Sequence, residues 1–158
     1  MNNDKEIFVF DEEYENKING PLNYIAHPLK KISKWSDKQR LCICLVRMSK
    51  KSNNTREKMD EHINKTVRHF EKRGYKFDFI IPFFGKGRKV NALSKELLEL
   101  GKQGRELIIC SIRLDRIMRL PKWFEEMQKY KVEFIFVEHS GKKESIRDRA
   151  IVAEKHGK

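Results

Sequence analysis

Two short stretches hold the residue types that could do covalent chemistry: Arg47-Met48-Ser49 and Leu114-Asp115-Arg116-Ile117-Met118-Arg119. A serine hydroxyl is a poor nucleophile until a neighbour takes its proton or offsets the charge it develops. Neither stretch contains a histidine, which argues against a Ser-His-Asp hydrolase. Both contain arginine. A guanidinium grips phosphate oxygens in a bidentate fork and stays charged at any working pH. Arginines aimed at a phosphodiester offset charge as it builds in the transition state. Arg88, in the Gly85-Lys86-Gly87-Arg88 stretch, adds a further guanidinium. Arg116 and Arg119 are three apart, so one helical turn would set both on the same side. Asp115 would orient the arginines or protonate a leaving alkoxide. The candidate set is therefore one hydroxyl (Ser49), one carboxylate (Asp115) and four guanidiniums (Arg47, Arg88, Arg116, Arg119).

These residues matter together only if the fold brings them to one place. Leu41–Val46 is a continuous apolar run, the pattern of a central strand covered on both faces. A helix is expected to begin near Asn53 or Asn54. Met59, Ile63, Val67 and Phe70 form its apolar stripe, which stops at Gly74. Residues 77–83 read as a second strand, and Gly85 to Arg88 as a turn or loop. Val90, Leu93, Leu97 and Leu98 mark a second helix ending around Gly101–Gly104. Residues 107–112 read as a third strand. Pro121 suits the first turn of a third helix, with Trp123, Phe124, Met127 and Tyr130 on its core side. Residues 132–137 read as a fourth strand. This alternation predicts an α/β domain with a mostly parallel four-stranded sheet flanked by helices. Ligands of such sheets bind beyond the carboxyl ends of the strands. Arg47-Met48-Ser49 follows the first strand, and Arg113 to Arg119 follow the third.

The flanking segments say less. Residues 1–40 read as an N-terminal extension of unknown role. Ile7 to Phe10 suggests a short strand, Gly20-Pro21 and His27-Pro28 read as breakers, and the spacing of Leu29, Ile32 and Trp35 predicts a short helix from Pro28 to Trp35. Residues 41–140 would form the main domain, and 141–158 a polar helical tail.

The 158 residues carry 35 Lys and Arg against 23 Asp and Glu, a net charge of +12. Residues 1–40 contain seven of each sign, so the whole excess lies in residues 41–158. Such an excess favours a polyanionic partner, either nucleic acid or an anionic membrane surface. Lys50, Lys51, Lys86, Lys89 and Arg113 flank the candidate set and would contact the backbone if that partner is DNA. No apolar run approaches the roughly 20 residues of a membrane span, and the acidic start MNNDKEIFVFDEEY has no signal-peptide pattern. A cytoplasmic protein with no membrane partner is expected. Cys42, Cys44 and Cys110 lie in apolar runs and read as reduced core thiols. Cys42-x-Cys44 lacks a second ligand pair, so neither metal nor cofactor is expected.

In the order Arg47-x-Ser49, Arg88 opening a Leu-rich helix, then Leu114-Asp115-Arg116-x-x-Arg119, the chain resembles the catalytic domain of the serine recombinases (resolvases and invertases). The resemblance covers residues 41–140. It implies that Ser49 attacks a DNA phosphodiester to form a 5′-phosphoserine link. It also implies that Arg47, Arg88, Arg116 and Arg119 hold the scissile phosphate, and that Asp115 positions Arg116 or acts as general acid. A homodimer or tetramer is implied as well. The chain has Leu45 where the family commonly has Tyr, and Lys58-Met59 where a Gln is usual. Pro82-Phe83-Phe84-Gly85 replaces the family's D-x-x-S-G. Glu144 to Arg149 faintly echoes the family's long helix, and a separate DNA-binding or recombinase partner is expected to supply target recognition.

Each residue also has an ordinary reading. Ser49 and Asp115 are types that cap helices. Arg116 and Arg119 would serve equally in a solvated basic turn, and Arg88 as a generic phosphate contact. His62 and His69 read as half-exposed residues of one helix face. These readings lead to a different function, a catalytically inactive resolvase-fold regulator that binds DNA or a recombinase. A basic α/β module that binds RNA is a third.

Overall fold

Every residue from Leu41 to Val46 is buried, because helices cover both faces of the strand that contains them. The computed structural model describes residues 5–9, 24–28, 37–48, 55–84, 87–112, 121–139 and 146–152. In chain order the elements are β1 (Lys5–Val9), β2 (Tyr24–Pro28), β3 (Arg40–Met48), α1 (Arg56–Glu71), β4 (Phe79–Phe84), α2 (Gly87–Lys102), β5 (Glu106–Ile112), α3 (Pro121–Met127), β6 (Val132–His139) and β7 (Ile146–Val152). One sheet takes all seven strands in the order β2-β1-β4-β3-β5-β6-β7. Only β6 and β7 pair antiparallel; the other neighbours are parallel.

Period-two alternation along β3 divides the core. Leu41, Ile43 and Leu45 join Leu93, Leu97 and Leu100 of α2 and Trp123 and Met127 of α3 on one face. Cys42, Cys44 and Val46 join Met59, Ile63, Val67 and Phe70 of α1 on the other. The layers are thus helix, sheet, helix. Moving from β3 to β4 takes the chain one way across the sheet, with α1 on one face. Moving from β4 to β5 takes it back past β3, with α2 on the opposite face. A single crossover hand demands that exchange of faces.

Local chemistry sets the helix ends. The Thr55 hydroxyl caps α1 by accepting from the Lys58 N–H at 3.2 Å. The helix therefore starts after Thr55, beyond the Asn53 or Asn54 start expected. Gly74 and Gly104 follow α1 and α2 with φ of 97° and 82°, the left-handed conformation that glycine adopts without a Cβ penalty. At the opposite edge from the strands' carboxyl ends, Asp78 ties β4 to β3. Its Oδ2 accepts from the Cys42 N–H at 2.9 Å, its own N–H donates to the Cys42 carbonyl at 2.8 Å, and Lys38 pairs with its Oδ1.

The expected α/β class and parallel four-strand core are present as β3, β4, β5 and β6. Three features differ from the sequence reading. First, the short strand expected at residues 7–10 is present as β1, but it and β2, which was not expected, add to the main sheet beside β4. Pro28, read as a breaker, ends the edge strand β2, a position where a missing N–H is tolerated. The helix expected from Pro28 to Trp35 otherwise lies outside the described residues. Second, the tail read as helical contains β7, paired with β6 from Glu133↔Val152 to His139↔Ile146. β-branched Ile146, Ile151 and Val152 suit a strand, and the outer edge of β6 supplies the partner. Third, Gly87, read as part of a turn or loop, begins α2, and Arg88 lies in the first turn of that helix, as its place at the start of a Leu-rich helix suggests. Pro82 is accommodated within β4 because the β1 ladder stops at Ile80, leaving β4 with one described neighbour at that level.

Candidate active site

β3 and β5 lie side by side, and their ladder ends before the strands do. Registered pairs run from Arg40↔Glu106 to Cys44↔Cys110. On the outer sides pairing continues, to Met48↔Phe84 between β3 and β4 and to Ile112↔Val137 between β5 and β6. The sheet is therefore split at its carboxyl edge between these two strands. Just past the last pair, the buried Ser111 hydroxyl donates to the Leu45 carbonyl at 2.9 Å. A side chain there supplies a link across the opening.

This split coincides with the topological switch point. The connection leaving β3 goes to β4 on one side, and the connection leaving β5 goes to β6 on the other. Diverging connections leave a crevice at the strands' carboxyl ends, where ligands of open α/β sheets bind.

Arg47 stands at this edge, in register with Phe83 of β4, and its side chain is exposed. The chain passes from Met48 into Ser49. The backbone of Arg88 and Lys89 occupies the first turn of α2, the helix that follows β4 at the same edge. β5 ends at Ile112 and leads in sequence to Arg113. The fold thus brings Arg47, the start of α2 and the end of β5 to one edge. Ser49, Lys50, Lys51, Lys86, Arg113, Asp115, Arg116 and Arg119 lie outside the described residues, as do the side chains of Arg88 and Lys89.

Two residues at this edge were given no site role from the sequence. His62, in the second turn of α1, has Nε2 3.1 Å from the Arg47 carbonyl oxygen. A carbonyl only accepts, so Nε2 carries the proton and donates. The contact pins the backbone that bears Arg47, two residues before Ser49. Asp60 is buried at 4% exposure in the sheet-facing stripe of α1, between Met59 and the turn that holds His62. Buried carboxylates are uncommon unless paired. Periodicity marks Asp60 as sharing a face with Ile63 and Val67, which was the available signal. No sequence signal joins His62 to Arg47, because the contact depends on how α1 packs beside β3.

Other expected residues are accounted for by packing. Cys42, Cys44 and Cys110 are buried and in no disulfide. Trp123 and Met127 are core, and Phe124 and Tyr130 pack against it. The Trp123 Nε1 donates to the Ser94 carbonyl at 2.8 Å. Leu45, where the resemblance would have Tyr, is fully buried between the sheet and α2. Among the described residues no group of three or more His, Cys, Asp or Glu is arranged to hold a metal. No described helix is long and apolar enough to cross a membrane.

Comparison with known proteins returned no matching family model, no matching curated protein and no matching solved structure.

Proposed function

We propose that this protein cuts and rejoins DNA through Ser49, as a serine-recombinase-like enzyme. The observation that carries the reading is the split between β3 and β5 after Cys44↔Cys110. Arg47 and Met48 end one of those strands and Ser49 comes next in sequence, while Leu114-Asp115-Arg116-x-x-Arg119 follows the other in sequence. A phosphodiester held in the crevice would meet a hydroxyl from one strand end and arginines from both. The net charge of +12 supports a polyanionic substrate.

The chemistry follows from the residue types. Ser49 Oγ attacks phosphorus, an Oγ–P bond forms and the P–O3′ bond breaks. The serine proton leaves to solvent or a nearby base, and the departing 3′ oxygen is protonated, with Asp115 as the candidate donor. The product is a 5′-phosphoserine and a free 3′-hydroxyl. The reverse attack by a 3′-hydroxyl rejoins the strand. Bond energy is retained throughout, so no cofactor is needed. Arg47, Arg88, Arg116 and Arg119 would offset the charge on the phosphorus oxygens. Lys50, Lys51, Lys86, Lys89 and Arg113 would hold flanking phosphates. A homodimer or tetramer would cut both strands, and a separate DNA-binding or recombinase partner would direct it to a site.

The test is covalent capture. Wild-type protein is incubated with DNA, denatured, and examined for a protein–DNA adduct that protease removes. The adduct should form with wild type and be absent with Ser49→Ala. If the two behave alike, Ser49 is not the nucleophile. If Arg116→Ala then weakens DNA or partner binding while Ser49→Ala changes nothing, the protein is the inactive regulator.

A further inference from the structure

The surface of α1 that faces away from the sheet is strongly basic toward its carboxyl end. Lys65, Arg68 and Lys72 recur at steps of three and four, which places them in one row. All three are exposed. Among the described residues none of the three takes part in an ion pair such as Lys38–Asp78, Arg40–Glu106 or Lys129–Glu126. His69 and Arg73 border the same row. Together with Asn64 and one carboxylate, Glu61, they line an open depression of about 680 Å³ on this side of the helix, in which the cations outnumber the acid. The Arg73 guanidinium donates to the His69 carbonyl at 2.8 Å, which ties down the helix end and fixes that border.

Two ordinary explanations fall short. Cations near a helix carboxyl end are favoured by the macrodipole, but that effect fades within the last turn. Lys65 is earlier than that. Stable seating of a helix on a membrane draws on apolar area entering the lipid as well as on attraction between cations and anionic headgroups. The apolar face of α1, formed by Met59, Ile63, Val67 and Phe70, is already buried against the sheet. What remains is a rigid row of cations on a chain of net charge +12, and its chemical complement is a row of phosphates.

We propose that the outer face of α1 binds the phosphate backbone of duplex DNA through Lys65, Arg68 and Lys72. The row begins ten residues beyond the Thr55 cap, or about 15 Å along the helix axis from that cap, and one turn beyond His62. It is a second contact surface, separate from the lysines flanking the candidate active site, and it does not depend on Ser49.

The experiment is equilibrium fluorescence anisotropy with a short labelled duplex DNA across a salt series. The triple variant Lys65→Ala, Arg68→Ala, Lys72→Ala should bind at least about tenfold more weakly at ~0.1 M salt, with a shallower salt dependence by about 2–3 in log–log slope. A charge-keeping triple variant, Lys65→Arg, Arg68→Lys, Lys72→Arg, should bind within about twofold of wild type. Alanine is a strong helix former, so the fold is expected to survive, and a urea midpoint checks this. Unchanged affinity and slope in the alanine variant would overturn the proposal. So would loss of binding in the charge-keeping variant, or wild-type binding to phosphatidylserine vesicles without binding to the duplex. The readout has no covalent step, so a failure of Ser49 to form an adduct leaves this result intact, and the reverse holds too.

Discussion

The Ser111 hydroxyl reaches the Leu45 carbonyl oxygen at 2.9 Å, one position beyond the last registered pair of β3 and β5. Both residues are fully buried. The hydrogen bond therefore sets how far the two strands stand apart where the crevice begins. Ser111→Ala removes the donor and leaves a buried carbonyl short of a partner, which destabilises by about 1–2 kcal/mol. The melting temperature should fall by roughly 2–8 °C. Thermal unfolding measures this directly, and an unchanged transition would mean that the bond does not hold the strands.

His62 makes a different prediction, because its side chain is exposed and its only described hydrogen bond is to the Arg47 carbonyl. Substituting an exposed residue usually shifts stability by under about 0.5 kcal/mol. His62→Ala should thus unfold at nearly the wild-type urea concentration while adduct formation drops about tenfold, since the backbone between Arg47 and Ser49 loses its tether. His62→Gln, which keeps a side-chain donor, should recover part of the rate. A urea midpoint that falls in step with the adduct rate would assign His62 to folding instead.

Arg116 tests whether geometry or charge alone serves the phosphate. Arg116→Lys keeps the charge and loses the planar fork. Adduct formation should fall by about 10²–10³, the scale of removing one preorganised donor. Full activity in the lysine variant would show that a point charge suffices there. The readout is the single-turnover rate of adduct formation on a saturating duplex, which separates the chemical step from DNA affinity.

Much of this architecture could be read from local pattern. The unbroken run Leu41–Val46 announces a strand covered on both faces, and the two buried clusters meet on it. The stripe Met59, Ile63, Val67 and Phe70 marks the face of α1 that is buried. Misreadings arose where partners are distant in sequence. β7 has no strong local signature and forms against the edge of β6. β1 and β2 are short, and their place beside β4 comes from a pairing some 70 residues away, Glu6↔Phe79. The start of α1 was expected near Asn53 or Asn54, both good cap types, and the next residue, Thr55, is the one that accepts from the Lys58 N–H among the described residues. At the candidate site the sequence pointed to Arg47, which sits at the strand end as its position suggests. It could not point to His62, whose role is a through-space contact, or to Ser111, whose hydroxyl matters because a ladder stops beside it.

Thr66 gives the sharpest test of how α1 packs. It lies on the sheet-facing side of the helix at 2% exposure, and its Oγ1 has no hydrogen-bond partner among the described residues. A buried hydroxyl without a partner loses its hydration and recovers nothing. Valine has nearly the same shape and the same branching at Cβ, so it fits the site without the polar atom. Thr66→Val should therefore stabilise the protein, by about 0.5–2 kcal/mol. Thr66→Ser keeps the unpaired hydroxyl and deletes a methyl group from a packed face, so it should destabilise by about 1 kcal/mol. Urea titration of the three proteins should order them Val above Thr above Ser. A valine variant less stable than wild type would mean that the hydroxyl is satisfied in solution and that this face of α1 admits a polar neighbour.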